Sequence, residues 1–222
     1  MNESEHERPI LTVDIVLLTL HENRLHVALL RRDKPPAEGV LTLVGGYVHV
    51  DKDANTLATA QRVLRSKVGL DGIFCEQLMT FSGPTRDSRG WSATVAYYAL
   101  APEKIYREAT TGELVLMPAD APGDLPFDHK AIVAAALERL RVKGAYSTLP
   151  ALLLPPSFTL LQLRSIYEQV RGVSLNDSAF RRKIEELQFV EPIEGAKSKL
   201  SARPAKLYRL RHETLRAFDR KI

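Results

Sequence analysis

A single cysteine, Cys75, leaves no internal disulfide and no cysteine-based zinc site for this chain to form. Its apolar neighbours Ile73 and Phe74 point to a strand residue inside the protein rather than a reactive thiol. No apolar run approaches the roughly 20 residues of a membrane span. The opening residues, MNESEHERPI, have neither a basic n-region nor an apolar h-region, so a cytoplasmic protein without a membrane partner is expected. Internal repeats and low-complexity tracts are also lacking. With 45% hydrophobic and 26% charged residues, the 222 residues suit one large or two modest soluble domains.

Net charge is small, +4, but it is unevenly spread. Of the 31 Lys and Arg, 14 fall in residues 155–222, against 8 of the 27 Asp and Glu, so that third carries +6 and the rest −2. A basic segment on a neutral-to-acidic body is the pattern expected when one domain meets a polyanion and the other does something else.

Residues 1–9 are polar and read as a disordered N-terminus. Ile10 to Leu20 and Arg24 to Arg31, joined by His21-Glu22-Asn23, predict a β-hairpin. Leu41 to Val44 leads as a strand into Gly45-Gly46. A helix from about Thr56 to Lys67 follows, closed by Gly69. Strands over Ile73 to Phe81 and Ser92 to Leu100 bracket a loop, Ser82 to Trp91, whose arginines and tryptophan suit anionic and aromatic ligand groups. A second helix is expected from an N-cap at Asp128 to Lys143, with Ile132, Val133, Ala136, Leu137 and Leu140 on one face. The boundary falls in the proline-rich stretch Gly144 to Ser157, whose leucines argue for a packed connection. The domains are then 10–146, with a connection at 147–157, and 158–222.

In the last third, Thr159 to Arg171 carries Leu160, Leu163, Ile166, Tyr167 and Val170 at helical spacing and ends at Gly172. Asn176 or Asp177 caps a second helix to about Gln188. Its inward face is Ala179, Phe180, Ile184 and Leu187, and Ser178, Arg181, Arg182 and Glu185 share the other. Two helices joined by a short glycine-containing turn form a helix-turn-helix whose second helix fits a major groove, with Arg181, Arg182 and neighbouring Lys183 on or near its reading face. Strands at Phe189 to Ile193 and Ala205 to Leu210 would flank a wing, where Lys197, Lys199 and Arg203 follow phosphates. The bland alternative is a helical hairpin with a solvated basic face.

The stretch from Gly45 to Leu70, a glycine pair, an acidic loop, then Arg-x-Leu-x-x-x-x-Gly-Leu, resembles the signature of the Nudix hydrolases, which cleave nucleoside diphosphate-X compounds with magnesium. In that family the helix carries three glutamates, which align here with Val63, Ser66 and Lys67. Positions i, i+3 and i+4 share a helix face, so the resemblance implies a metal cluster replaced by a methyl pair, a hydroxyl and an ammonium. No catalytic or metal residue remains by this reading. The loop is about two residues longer than the usual signature. Asp51 and Asp53 leave open a residual hydrolase, and Lys67 is either a diphosphate ligand standing in for the metal or a solvated helix lysine.

Over nearly the whole chain, Phe81-Ser82-Gly83-Pro84, Arg86-Asp87, Arg89-Gly90-Trp91, Leu125-Pro126-Phe127-Asp128-His129, Phe180-Arg181-Arg182-Lys183 and Arg203-Pro204-Ala205 are similar to the Nudix-related transcriptional regulators, the NrtR family. That resemblance implies an α+β protein: a Nudix-like α/β/α sandwich with a mixed sheet, then a C-terminal winged helix-turn-helix. It also implies a homodimeric repressor of NAD-biosynthesis genes, bound to an inverted-repeat operator, with ADP-ribose as effector and no required cofactor. An effector site of Lys67, Phe81, Arg86, Arg89 and Trp91 is expected. A sugar or another nucleotide remains an alternative effector.

Overall fold

The computed structural model describes residues 8–103, 114–198, 204–219 and 221–222. Of the expected disordered N-terminus, residues 1–7 lie outside these. A long first strand, β1 (Ile10–His21), is the spine of the N-terminal sheet. It turns through Glu22 and Asn23, both at positive φ, into antiparallel β2 (Arg24–Arg31). β3 (Leu41–Thr42) pairs with the end of β2 on the side that β1 occupies, and β4 (Val44–Tyr47) pairs with the first half of β1. β5 (Phe74–Gly83) and β6 (Ser92–Leu100) pair antiparallel, and β6 runs parallel to β1. β7 (Leu114–Pro118) also joins β2.

The sheet is buried on both faces, which is why β1 reads as a nearly continuous apolar run. Side chains alternate across a strand. Val13, Ile15 and Leu17 pack against α1 (Thr56–Val68) through Ala60, Val63, Leu64 and Val68. Val16 and Leu18 face the other way, onto Ile132, Val133, Ala136 and Leu140 of α2 (His129–Gly144). The result is the expected α/β/α sandwich. Asn55 caps α1 by accepting from Ala58 N–H, and Gly69 closes it in the left-handed region at φ 69°.

The connection is packed, as its leucines predict. Leu149–Leu153 forms a 3-10 turn with all five residues buried. Beyond it, α3 (Leu160–Arg171) opens with a capping box between Thr159 and Gln162. α4 (Asp177–Leu187) is capped by Asn176, and β8 (Val190–Ser198) pairs with β9 (Ala205–Leu210). One hydrophobic cluster runs without a break from Val16 and Leu18 through Leu149 to Ile166 and Phe180. Tyr167 O–H donates to the Ser147 carbonyl at 2.8 Å, and Phe218 N–H donates to Tyr146 while its ring packs on Phe189.

Four local expectations need correction. β7 was not anticipated, because a five-residue apolar run ending in proline has no readable period. β8 continues through Glu194 to Ser198, pairing Lys197 with Lys206, so the wing loop is shorter than 194–204. Ala179 is exposed, since Phe180 and Ile184 fill the inward face of α4. Asp128 stands at the N-cap of α2 but makes no capping bond, because its carboxylate is committed to Arg86.

Gly45 is required by proximity. A Cβ there would lie 2.2 Å from Asp14 Oδ1 and 2.9 Å from the Val13 carbonyl oxygen. Gly45→Ala should lower the unfolding free energy by about 1–3 kcal/mol, read as a lower urea midpoint at unchanged slope. A parental midpoint would show that the β1–β4 pair is slack.

Candidate functional site

Beside the glycine loop lies an open cavity of about 710 Å³, walled by β1, β2, β4, α1, the β2–β3 and β5–β6 loops and the start of α2. Seven Lys and Arg line it against three Asp, a balance of charge that suits an anion. The charge is structured by carboxylates. Arg86 donates to both oxygens of Asp128, at 2.9 and 2.8 Å, and to Ser92 Oγ at 3.2 Å, with Asp14 3.5 Å away. Burial works against its charge, yet Asp128, Asp14 and Asp87 together carry its pKa above the ordinary value. Arg89 grips Asp87 in the same two-pronged way, and the pair holds the Asp87 carboxyl below the usual range. The Arg89 guanidinium also donates to Tyr47 Oη and lies 5.5 Å from that ring.

Lys67 faces this cavity from α1. Desolvation by the cavity walls lowers its ammonium pKa, opposed chiefly by Asp33. Val63 is buried against Gly46, whose added Cβ would sit 3.0 Å from Val63 Cγ2, and Ser66 is exposed. Asp53, one of the two carboxylates that left a hydrolase open, is already spent. It accepts from Arg62 Nε and Nη2 at 2.7 Å each, from Thr59 Oγ1 at 2.9 Å and from His49 N–H at 2.8 Å. Arg62 above all drives its pKa far below the ordinary carboxylate value. Among the described residues no group of three His, Cys, Asp or Glu side chains could hold a metal ion. The donor set does not fit magnesium.

Of the expected effector residues, Lys67, Arg86 and Arg89 meet in the cavity, whereas Phe81 and Trp91 do not line it. Phe81 sits on β5 opposite Thr94 and packs against the α2-side core; Trp91 precedes β6 and is half exposed. The rings at the cavity are Tyr47 and Phe127, the latter 5.6 Å from the Arg32 guanidinium. Sequence reasoning missed Arg31, Arg32, Lys34, Tyr47, Arg62 and Phe127. A cluster of charges directly after a strand, Arg31 to Lys34, was the signal available.

At the other end, Ser178, Arg181 and Arg182 are exposed together on α4. Asp177 accepts from Arg181 Nε at 2.8 Å and from Arg164 Nη1 at 2.9 Å, pinning α4 to α3. Lys183 is half-buried, 3.6 Å from Glu186. Lys197 stands on β8; Lys199 and Arg203 fall outside the described residues.

A protein described as an ADPR-responsive transcriptional repressor, NtrR, from Acinetobacter baylyi is 37% identical over 212 residues, covering 93% of this chain and 84% of that protein. The chain belongs to the NrtR family. A family model of the NrtR DNA-binding winged helix domain matches residues 150–210 of this NrtR-family chain. Shewanella oneidensis NrtR, solved with a 27mer DNA, superposes with a TM-score of 0.84 at 32% identity, covering 96% of this chain and 99% of that one. The Nudix domain of the same Shewanella protein, solved with ADP ribose, is 33% identical over 63% of this chain and 94% of its own, with a TM-score of 0.56.

One buried histidine reports on the site. Leu43 N–H donates to His129 Nδ1 at 3.2 Å, so that nitrogen is unprotonated, and burial lowers the ring's pKa despite Asp14 at 3.8 Å from Nε2. Below the unfolded value of about 6.5 the unfolded chain binds the proton more readily. Stability should therefore be flat above that pH and fall as pH drops through it, by at most about 1.4 kcal/mol per pH unit for this group. Urea melts from pH 5 to 8 on the parent and His129→Gln test this; equal slopes would remove His129 from the balance.

Proposed function

We propose that the chain is a cytoplasmic DNA-binding repressor of NAD-biosynthesis genes whose Nudix domain senses ADP-ribose or a related nucleotide without hydrolysing it. The observation that carries this reading is a cation-lined cavity beside a helix that offers Val63, Ser66 and Lys67 where a metal would need carboxylates. An anion can bind there. Nothing there would activate water or neutralise a leaving diphosphate by metal. The ADP-ribose response named for the Acinetobacter relative and the ligand of the Shewanella domain support this effector.

In this reading residues 10–146 sense, 147–157 connect and 158–222 read DNA. Ser178, Arg181 and Arg182 of α4 face the major groove, Lys183 flanks them, and Lys197, Lys199 and Arg203 follow the backbone from the wing. A single winged module buries too little surface for high specificity, so the protein acts as a homodimer on an inverted repeat, with half-sites about 10 or 21 base pairs apart. Effector occupancy changes operator affinity by its differential affinity for the free and DNA-bound arrangements.

Incubation with ADP-ribose and magnesium should yield no AMP, while ADP-ribose titrated into a gel shift should release operator DNA. Rapid turnover, or an operator complex indifferent to ADP-ribose, would count against the proposal. Arg182→Ala should cost about 1–3 kcal/mol of discrimination between operator and random DNA if it makes a bidentate guanine contact. Lys199→Ala should instead weaken both alike and flatten the salt dependence. Salt titrations showing the reverse would exchange the two roles.

A further inference from the structure

The cavity's cations fall into two classes, committed and free. Arg62, Arg86 and Arg89 are each locked by two bonds to one carboxylate, of Asp53, Asp128 and Asp87 respectively. Arg31 donates to the Gly39 carbonyl, and Arg32 donates to the Pro36 carbonyl at 2.6 Å while lying over Phe127. Each guanidinium is held by the protein itself. Lys34 and Lys67 alone among the lining cations make no hydrogen bond or ion pair with the described residues. They approach the cavity from different elements, Lys34 from the β2–β3 loop and Lys67 from the last turn of α1.

From this division we infer that Lys34 and Lys67 together form the diphosphate clamp of the cavity, with Lys34 a ligand-binding residue, while Arg86 and Arg89 position its walls. The inference rests on the effector reading above and names the side chains that would do the binding. An arginine already bidentate to a carboxylate must break two charge-assisted bonds before it can turn to a phosphate, and would leave the carboxylate stranded. A lysine without a partner gives up only water. Its ammonium is a compact point charge with three rotatable donors, able to meet phosphate oxygens without a fixed fork geometry. Two such charges from different elements, near enough to repel one another while no anion lies between them, suit the two phosphates of a nucleoside diphosphate better than a single phosphate.

Calorimetric titration of ADP-ribose into the full-length parent, Lys34→Ala, Lys67→Ala and the two Lys→Arg variants tests the clamp. Lys130→Ala on exposed α2 surface serves as the equal-charge control. Each alanine variant should bind about ten-fold more weakly or worse, the arginine variants should recover most of the loss, and Lys130→Ala should match the parent. Equal affinity of Lys34→Ala and parent would overturn the inference, as would a loss of the same size in Lys130→Ala. Phosphorus NMR with inorganic pyrophosphate and no metal separates it from the effector reading. Line broadening by the parent that is absent in the Lys34→Ala, Lys67→Ala double variant upholds the clamp even if ADP-ribose fails to bind. Broadening that persists in the double variant places diphosphate elsewhere and overturns it.

Discussion

The buried guanidinium of Arg86 ties three otherwise separate parts of the sensor together. Its loop lies between β5 and β6, its main partner Asp128 stands at the start of α2, and Asp14 projects from β1. With a side chain 8% exposed, this charge is tolerable only while those carboxylates answer it. Removing one partner of such a buried pair typically costs about 3–5 kcal/mol, because the other charge is left without compensation. Asp14 in turn needs a glycine opposite it, which is why Gly45 cannot carry a side chain. The glycine loop of the sequence signature therefore serves this chain as a packing constraint on β1.

The same pair fixes where α2 begins, and α2 ends against the DNA-reading module. At its last residue, Gly144, an added Cβ would meet Val170 Cγ1 of α3 at 2.8 Å. Lys143 Nζ donates to both oxygens of Glu76 on β5, at 2.6 and 2.7 Å, holding that end of the helix to the sheet. The two domains thus share a core rather than a hinge. Packed interfaces respond by small discrete shifts. One helix, α2, therefore joins the cavity wall at its start to α3 at its end.

Side chains of α1 and of the loop before it are taken up by packing and by ion pairs. Val63 is part of the core on the α1 side of the sheet, filling the space over Gly46. Asp53 is enclosed by Arg62, Thr59 and the His49 amide, so the acidic loop now caps and staples α1. Val63 and Asp53 are thus committed to the packing and the ion pairs that hold α1 in place.

The sequence alone determined the order of elements, the apolar spine β1, both helices of the sandwich, the helix-turn-helix and its caps, and the family. These rest on local signals: period two or 3.6, glycine at a helix end, asparagine or threonine at its start. It also put forward Lys67, Arg86 and Arg89 as one effector site, from the positive charge that a diphosphate needs. Only the tertiary structure decided which of these charges is free, that Phe81 and Trp91 lie away from the cavity while Tyr47 and Phe127 stand at it, and that Asp53 and Asp128 are spent on arginines. Partnership between charges distant in sequence, such as Arg86 with Asp128, leaves no periodic trace, and a ring's side of a strand depends on register. Those facts arise when the chain closes on itself.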